Sequence, residues 1–173
     1  MSKIAEYIIP YKGLSEKVHL FDFDLDDSFF SMFTTSEIQK GKLTAKIELD
    51  RRPNFLVLLI QIEGNVTVSC DRCLEDMIYP ILVKRNLIVK FSTDETLEDE
   101  DELVYLKPEQ ELNLAQFFYE FICLSLPYKR THKKISDCNP EMVKKITIAS
   151  EHEEIQTDPR WEKLKNFITN NKN

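Results

Sequence analysis

The sequence predicts an α+β fold: a single antiparallel β-sheet of four to six strands, arranged like a meander, covered by one main amphipathic helix. Three observations lead there. The stretch 42–50, KLTAKIELD, alternates strictly, with Leu43, Ala45, Ile47 and Leu49 on one face and Thr44, Lys46 and Glu48 on the other, which is the period-2 pattern of a half-buried strand. Further apolar or alternating stretches follow it across short turn-like segments, and strands joined that way pair antiparallel. One later segment, ELNLAQFFYEFICLSLP, carries its apolar residues at helical spacing.

Taken in order, 18–25 (VHLFDFDL) reads as the first strand of the sheet. A short helix starting near Asp27 or Ser28 and using Phe29, Phe30 and Phe33 follows. Residues 51–54, with Pro53, read as a turn out of the strand at 42–50 and into a buried strand, FLVLLIQI, at 55–62. Gly64-Asn65 reads as a second tight turn, followed by an alternating set of Val66, Val68 and Cys70. Residues 77–91 are rich in Ile, Leu and Val and are long enough for one bent strand or two short ones.

The main helix has agreeing signals. Asn113 is placed to cap it with Gln116 three residues on, Leu112 and Phe117 stand at the staple positions, and Leu114, Phe117, Phe118, Phe121 and Ile122 form one stripe. Pro127 ends it. The aromatic stripe is read as core rather than as a base-stacking surface. Near the C-terminus, Asp158-Pro159 resembles a cap and first helical residue, and Trp161, Leu164 and Phe167 follow at intervals of three. The expected organisation is one α+β domain over 1–145 and a tail over 146–173 with a short helix near 159–168. That tail either packs on its own domain or docks on a partner through Trp161, an anchor type favoured at interfaces.

Charge is unevenly spread. The net charge of -7 is carried by the run DETLEDEDE at 94–102, with seven carboxylates and no base. Without it the carboxylates equal the 23 Lys plus Arg. So like-charged a run is expected to be a mobile solvated loop. Between Tyr128 and Lys145 the balance reverses: Lys129, Arg130, Lys133, Lys134, Lys144 and Lys145 face only Asp137 and Glu141. No apolar run reaches the ~18 residues a membrane helix needs, and the start, MSKIAEYIIPYKG, lacks a secretory pattern. A cytoplasmic protein with no membrane partner is expected. No nucleophile with its base, convergent carboxylate pair or open metal site is legible, so the chain is read as non-catalytic, with no small-molecule substrate. His19 in a strand and His152 in EHEE are read as ordinary surface or packed histidines.

Four cysteines in a reducing compartment are thiols or metal ligands. Cys70 and Cys73, as C-D-R-C, have the spacing at which two thiolates share one metal, and the remaining candidates outside the helix are His132 and Cys138, spaced H-x5-C. Zinc at Cys70, Cys73, His132 and Cys138 is one reading; packed thiols are the other, because free cysteine often behaves as a small hydrophobe. A redox pair fits poorly, since that motif opens a helix inside a βαβ unit. Cys123, within the helix, is expected to be buried.

These residues also carry a family resemblance. CDRCLEDMIYPI after an alternating strand resembles the C-x-R-C motif of the YceD family, LNLAQFFYEFICLSLPYKRTHKKISDC resembles its second signature, and DPRWEKLKNF resembles its Pro-aromatic-Leu ending. The motif falls on Cys70, Arg72 and Cys73, the helix terminus on Leu126 and Pro127, and the downstream pair on His132 and Cys138. The resemblance implies a bacterial cytoplasmic factor, also found in plastids, that supports synthesis, processing or stability of 23S ribosomal RNA and biogenesis of the large subunit. Implied partners are 23S rRNA or a pre-50S particle and a ribosomal protein or processing factor. Some relatives carry a further cysteine pair after the first late cysteine; here Cys138 is followed by Asn139-Pro140, which leaves His132 as the needed fourth zinc ligand. Binding residues expected on this reading are Arg72, Lys129, Arg130, Lys133, Lys134 and Trp161, acting on phosphate or on an acidic protein surface. The alternative is a protein-only adaptor, or a zinc-stabilised interaction module, that touches no RNA.

Overall fold

A computed structural model describes residues 6–34, 36–94, 97–98, 102–108 and 110–151. Packing divides the chain into two compact units, Met1–Thr131 and His132–Asn173. Among the described residues the first holds seven strands, β1 (Ile8–Ile9), β2 (Val18–Leu25), β3 (Lys40–Arg51), β4 (Phe55–Ser69), β5 (Asp76–Phe91), β6 (Leu103–Leu106) and β7 (Leu112–Asn113), with helices α1 (Asp27–Phe30) and α2 (Ala115–Ser125). Its main sheet has five strands in the order β2-β3-β4-β5-β6.

The alternation in 42–50 became the centre of β3: Leu43, Ala45, Ile47 and Leu49 are all buried. Opposite them in antiparallel register run Gly64, Ile62, Ile60 and Leu58. The apolar run of β4 is not buried on both sides. Leu56, Leu58, Ile60 and Ile62 point into the core while Val57, Leu59 and Gln61 are half exposed, so a continuous apolar run here conceals a period of two. Asp26 caps α1 by accepting from the Ser28 and Phe29 amides at 2.8 and 3.3 Å. Phe29 and Phe30 are buried, and Phe33, beyond the helix end, stacks on Tyr119 at 4.1 Å.

Three expectations require correction. The sheet is mixed rather than wholly antiparallel, because β6 pairs with β5 in parallel, Ile88 opposite Leu103 through Phe91 opposite Leu106. A parallel pair cannot be joined by a tight turn, and residues 92–102, which hold the acidic stretch, make the connection. A second, two-stranded sheet joins β1 to β7, Ile9 opposite Leu112, from segments too short to show any period. Finally, Gly64-Asn65 is no turn: β4 runs straight through it to Ser69, with Leu43 and Ile81 on either side of Gly64. Gly64 has φ +147°, and a Cβ there would sit 2.3 Å from the Lys42 carbonyl and 2.6 Å from the Leu43 Cα. The glycine serves close backbone approach within a strand. Residues 77–91 lie in one strand, β5, which pairs with β4 from Asp76 to Lys90.

Helix α2 packs on β5; of the predicted stripe, Leu114 at the helix start and Phe118, Phe121 and Ile122 are buried in the core, while Phe117 is only partly buried against it. The Asn113 side chain accepts from the Ala115 amide at 2.9 Å. Gln116 does not reach back to it, donating instead to Glu120 at 2.7 Å. The second unit contains a 3-10 turn, Ile135–Asp137, and a helix α3 (Pro140–Glu151) that Asn139 caps by accepting from the Glu141 amide at 3.0 Å. The tail helix expected near 159–168 lies outside the described residues, as do Glu95, Thr96 and 99–101 of the acidic stretch.

Candidate metal centre and adjoining basic segment

Between β4 and β5 the chain turns through Cys70–Glu75, flanked by the last ladder pair, Ser69 opposite Asp76. Two main-chain hydrogen bonds close the turn. The Cys70 amide donates to the Glu75 carbonyl at 2.9 Å and the Leu74 amide to the Cys70 carbonyl at 2.8 Å. Leu74 takes φ +61° to allow this, a left-handed conformation that non-glycine residues rarely adopt. Cys70 and Cys73 are turned inward, 0% and 2% exposed.

After α2, Pro127 leads into a short strap. At Arg130 this strap is tied to the turn by Asp71: the Asp71 amide donates to the Arg130 carbonyl at 2.7 Å and the Arg130 amide donates to the Asp71 carboxylate at 2.5 Å. The Arg130 guanidinium donates to Glu37 at 2.7 Å and lies 3.8 Å from Asp71. The Glu37 hydrogen bond, opposed in part by desolvation, holds that guanidinium more firmly charged than usual. Two residues on comes His132, whose Nδ1 lies 3.6 Å from the Cys138 sulfur.

The structure brings all four expected ligands together: the Sγ atoms of Cys70, Cys73 and Cys138 and a ring nitrogen of His132 lie within 4.8 Å of one another. Three sulfurs and one imidazole are the donor set of a closed structural zinc site, and bonds of about 2.3 Å to sulfur imply ligand separations of roughly 3.8 Å. The Cys138–His132 pair already matches that edge, so the residues fit the ion. The three thiols are buried and His132 is half-buried. Cys123 is outside this group; burial pushes its thiol up, against a hydrogen bond with Tyr119 that pulls it down, and an elevated thiol is a poor nucleophile at neutral pH.

A family model for the large ribosomal RNA subunit accumulation protein YceD matches residues 58–168, from near the start of β4 through the turn, α2, the strap and α3. The chain belongs to the YceD family. No curated protein and no solved structure matches it. The YceD match covers every member of the four-ligand group and leaves β1, β2 and β3 outside. No described helix is long and apolar enough to cross a membrane.

Of the other residues expected to bind a partner, Lys129, Lys133 and Lys134 are exposed and Arg72 and Arg130 are half-buried, while Trp161 lies outside the described residues. His19 is on the sheet edge, its Nε2 2.9 Å from the Ser15 carbonyl. Sequence reading missed Asp71 and Glu37, which hold the strap. Asp71 was visible as the polar residue inside C-D-R-C. Glu37 had no local signal, since its partner Arg130 is 93 residues away.

Proposed function

We propose that this YceD-family protein is a non-catalytic cytoplasmic factor supporting synthesis, processing or stability of 23S ribosomal RNA and biogenesis of the large subunit. It acts by binding RNA or a ribosomal protein of the pre-50S particle. A zinc ion held by Cys70, Cys73, His132 and Cys138 fixes the cysteine turn and gives the adjoining segment a defined shape. From that scaffold Arg72, Lys129, Lys133 and Lys134 contact phosphate, and Arg130 helps to form the same surface. Such contacts position a polyanion without reading its sequence. The observation that supports this most directly is the gathering of the four ligands beside a strap that carries exposed lysines. No small-molecule substrate and no membrane takes part.

A second reading is a protein-only adaptor that binds a ribosomal protein or processing enzyme, with Trp161 as an anchor. It is favoured by Ile146 and Ile148, both about half exposed on α3.

Depletion of the protein in cells tests the assignment. The expected outcome is a deficit of mature 23S with accumulation of its precursors, 16S unchanged, and co-sedimentation of the protein with pre-50S particles. Equal loss of both RNAs would refute it. Salt-dependent RNA binding separates the two readings, because an adaptor would show none.

A further inference from the structure

We propose that Tyr128 is a stacking platform for an unpaired RNA base, presented outward by a strap that Asp71 and Arg130 pin in place. This rests on the RNA-binding reading above and adds to it a contact to bases.

Tyr128 is fully exposed, at 105%, whereas the next most exposed large aromatic among the described residues, Phe55, is at 37%. A lone surface aromatic would need no explanation. Its setting is what carries the argument. Lys129 beside it is exposed, and Lys133 and Lys134 follow in the chain, also exposed, so the neighbourhood favours a polyanion. On one side the backbone leaves α2, with the Leu126 amide donating to the Cys123 carbonyl at 3.2 Å, and Pro127 fixes the next φ. On the other, the paired hydrogen bonds between Asp71 and Arg130 hold the chain two residues past the ring. A ring offered on a backbone already ordered loses little further entropy when a base settles on it. Every base has a π-face, and in single strands, loops and bulges that face is accessible, whereas a duplex hides it. The ligand class is therefore single-stranded RNA, with Lys129 on the adjoining phosphate.

Arg130 has a different task in this arrangement. Its guanidinium is engaged by Glu37 and Asp71, so it is a positioning residue for Tyr128 and not a phosphate contact.

The test uses the full chain and labelled oligouridine and oligoadenine, with an RNA hairpin of equal charge as control. Tyr128→Ala should weaken single-strand binding about 5- to 150-fold, the equivalent of ~1–3 kcal/mol of base stacking, with the slope of log affinity against log salt unchanged. Tyr128→Phe should restore it, and thermal stability should be unaffected in both. Lys129→Ala should instead flatten the slope by about 0.7. Arg130→Met should weaken binding without flattening the slope; a change of about 0.7 there would overturn its positioning role. Ultraviolet cross-linking should map to Tyr128. If the wild type binds RNA and Tyr128→Ala binds equally well, the stacking proposal fails while the RNA reading survives. If the wild type binds no RNA, both fall, and loss of a ribosomal protein contact in Tyr128→Ala would assign the ring to a protein partner instead.

Discussion

Tyr7 illustrates how a single side chain reports the state of the first unit. Its ring is 4% exposed, packed edge-on against Phe29 at 5.1 Å, and its hydroxyl donates to the Asp24 carbonyl at 3.3 Å. Burial first, then the carboxylates of Glu6, Asp26 and Asp24, push its pKa from 10.0 up to about 12. The folded state therefore favours the protonated phenol, and the stability linked to it is complete below pH 10 and lost as pH rises through about 12. Burial raises the Tyr119 phenol as well, so phenolate absorbance should show more than one late ionisation; Tyr7→Phe should remove the one near 12, coincident with any alkaline unfolding seen by circular dichroism, and an unchanged titration in that variant would contradict this account. Leu74 makes a comparable local statement. An exposed leucine at φ +61° is tolerated because the turn that aims Cys70 and Cys73 inward requires that backbone.

Strand β4 carries the clearest consequence at the level of elements. It is 15 residues long, pairing with β5 from Phe55 to Ser69 and with β3 from Leu56 to Thr67, and at Gly64 the backbone of β3 leaves no room for a Cβ. Gly64→Ala would drive a Cβ into backbone atoms of Lys42 and Leu43 that cannot rotate away, at a φ that L-residues avoid. We expect a loss of about 2–4 kcal/mol, the range for overpacking combined with backbone strain, read as a lower denaturant midpoint at constant m-value. An unperturbed midpoint would mean that β3 and β4 can separate at this point without cost. The same strand explains why its sequence was only half legible: the alternation of burial was masked by Val57 and Leu59 on the more open face, and Gly64-Asn65 has the composition of a turn yet lies in mid-strand.

For the whole molecule, the proposed zinc site predicts a coupling of metal content to folding, because a site assembled from residues far apart in sequence exists only in the native state. Untagged protein should carry about one zinc per chain by mass spectrometry, and chelation should lower the thermal midpoint by about 5–10 °C, the shift for ~2–3 kcal/mol of lost binding in a chain of this size. Cys73→Ser should lose the metal and Cys123→Ser should keep it. A metal-free wild type whose midpoint ignores the chelator would identify the three buried cysteines as packed thiols.

Local pattern was enough to place the strands at 18–25 and 42–50 and the helix ending before Pro127, and to single out the residues able to ligate a metal, while it left 77–91 open as one strand or two. These are local properties: a period of 2 or 3.6, a proline, a pair of thiols two residues apart. The gathering of Cys70 and Cys73 with His132 and Cys138 was only a supposition from ligand chemistry until the tertiary structure put their donor atoms within 4.8 Å. The parallel direction of β6, the two-residue pairing of β1 with β7 and the hold of Glu37 and Asp71 on Arg130 were decided by the fold alone. The physical reason is common to all three: each contact joins segments that lie apart along the chain, and its free energy depends on burial and geometry that no window of neighbouring residues contains.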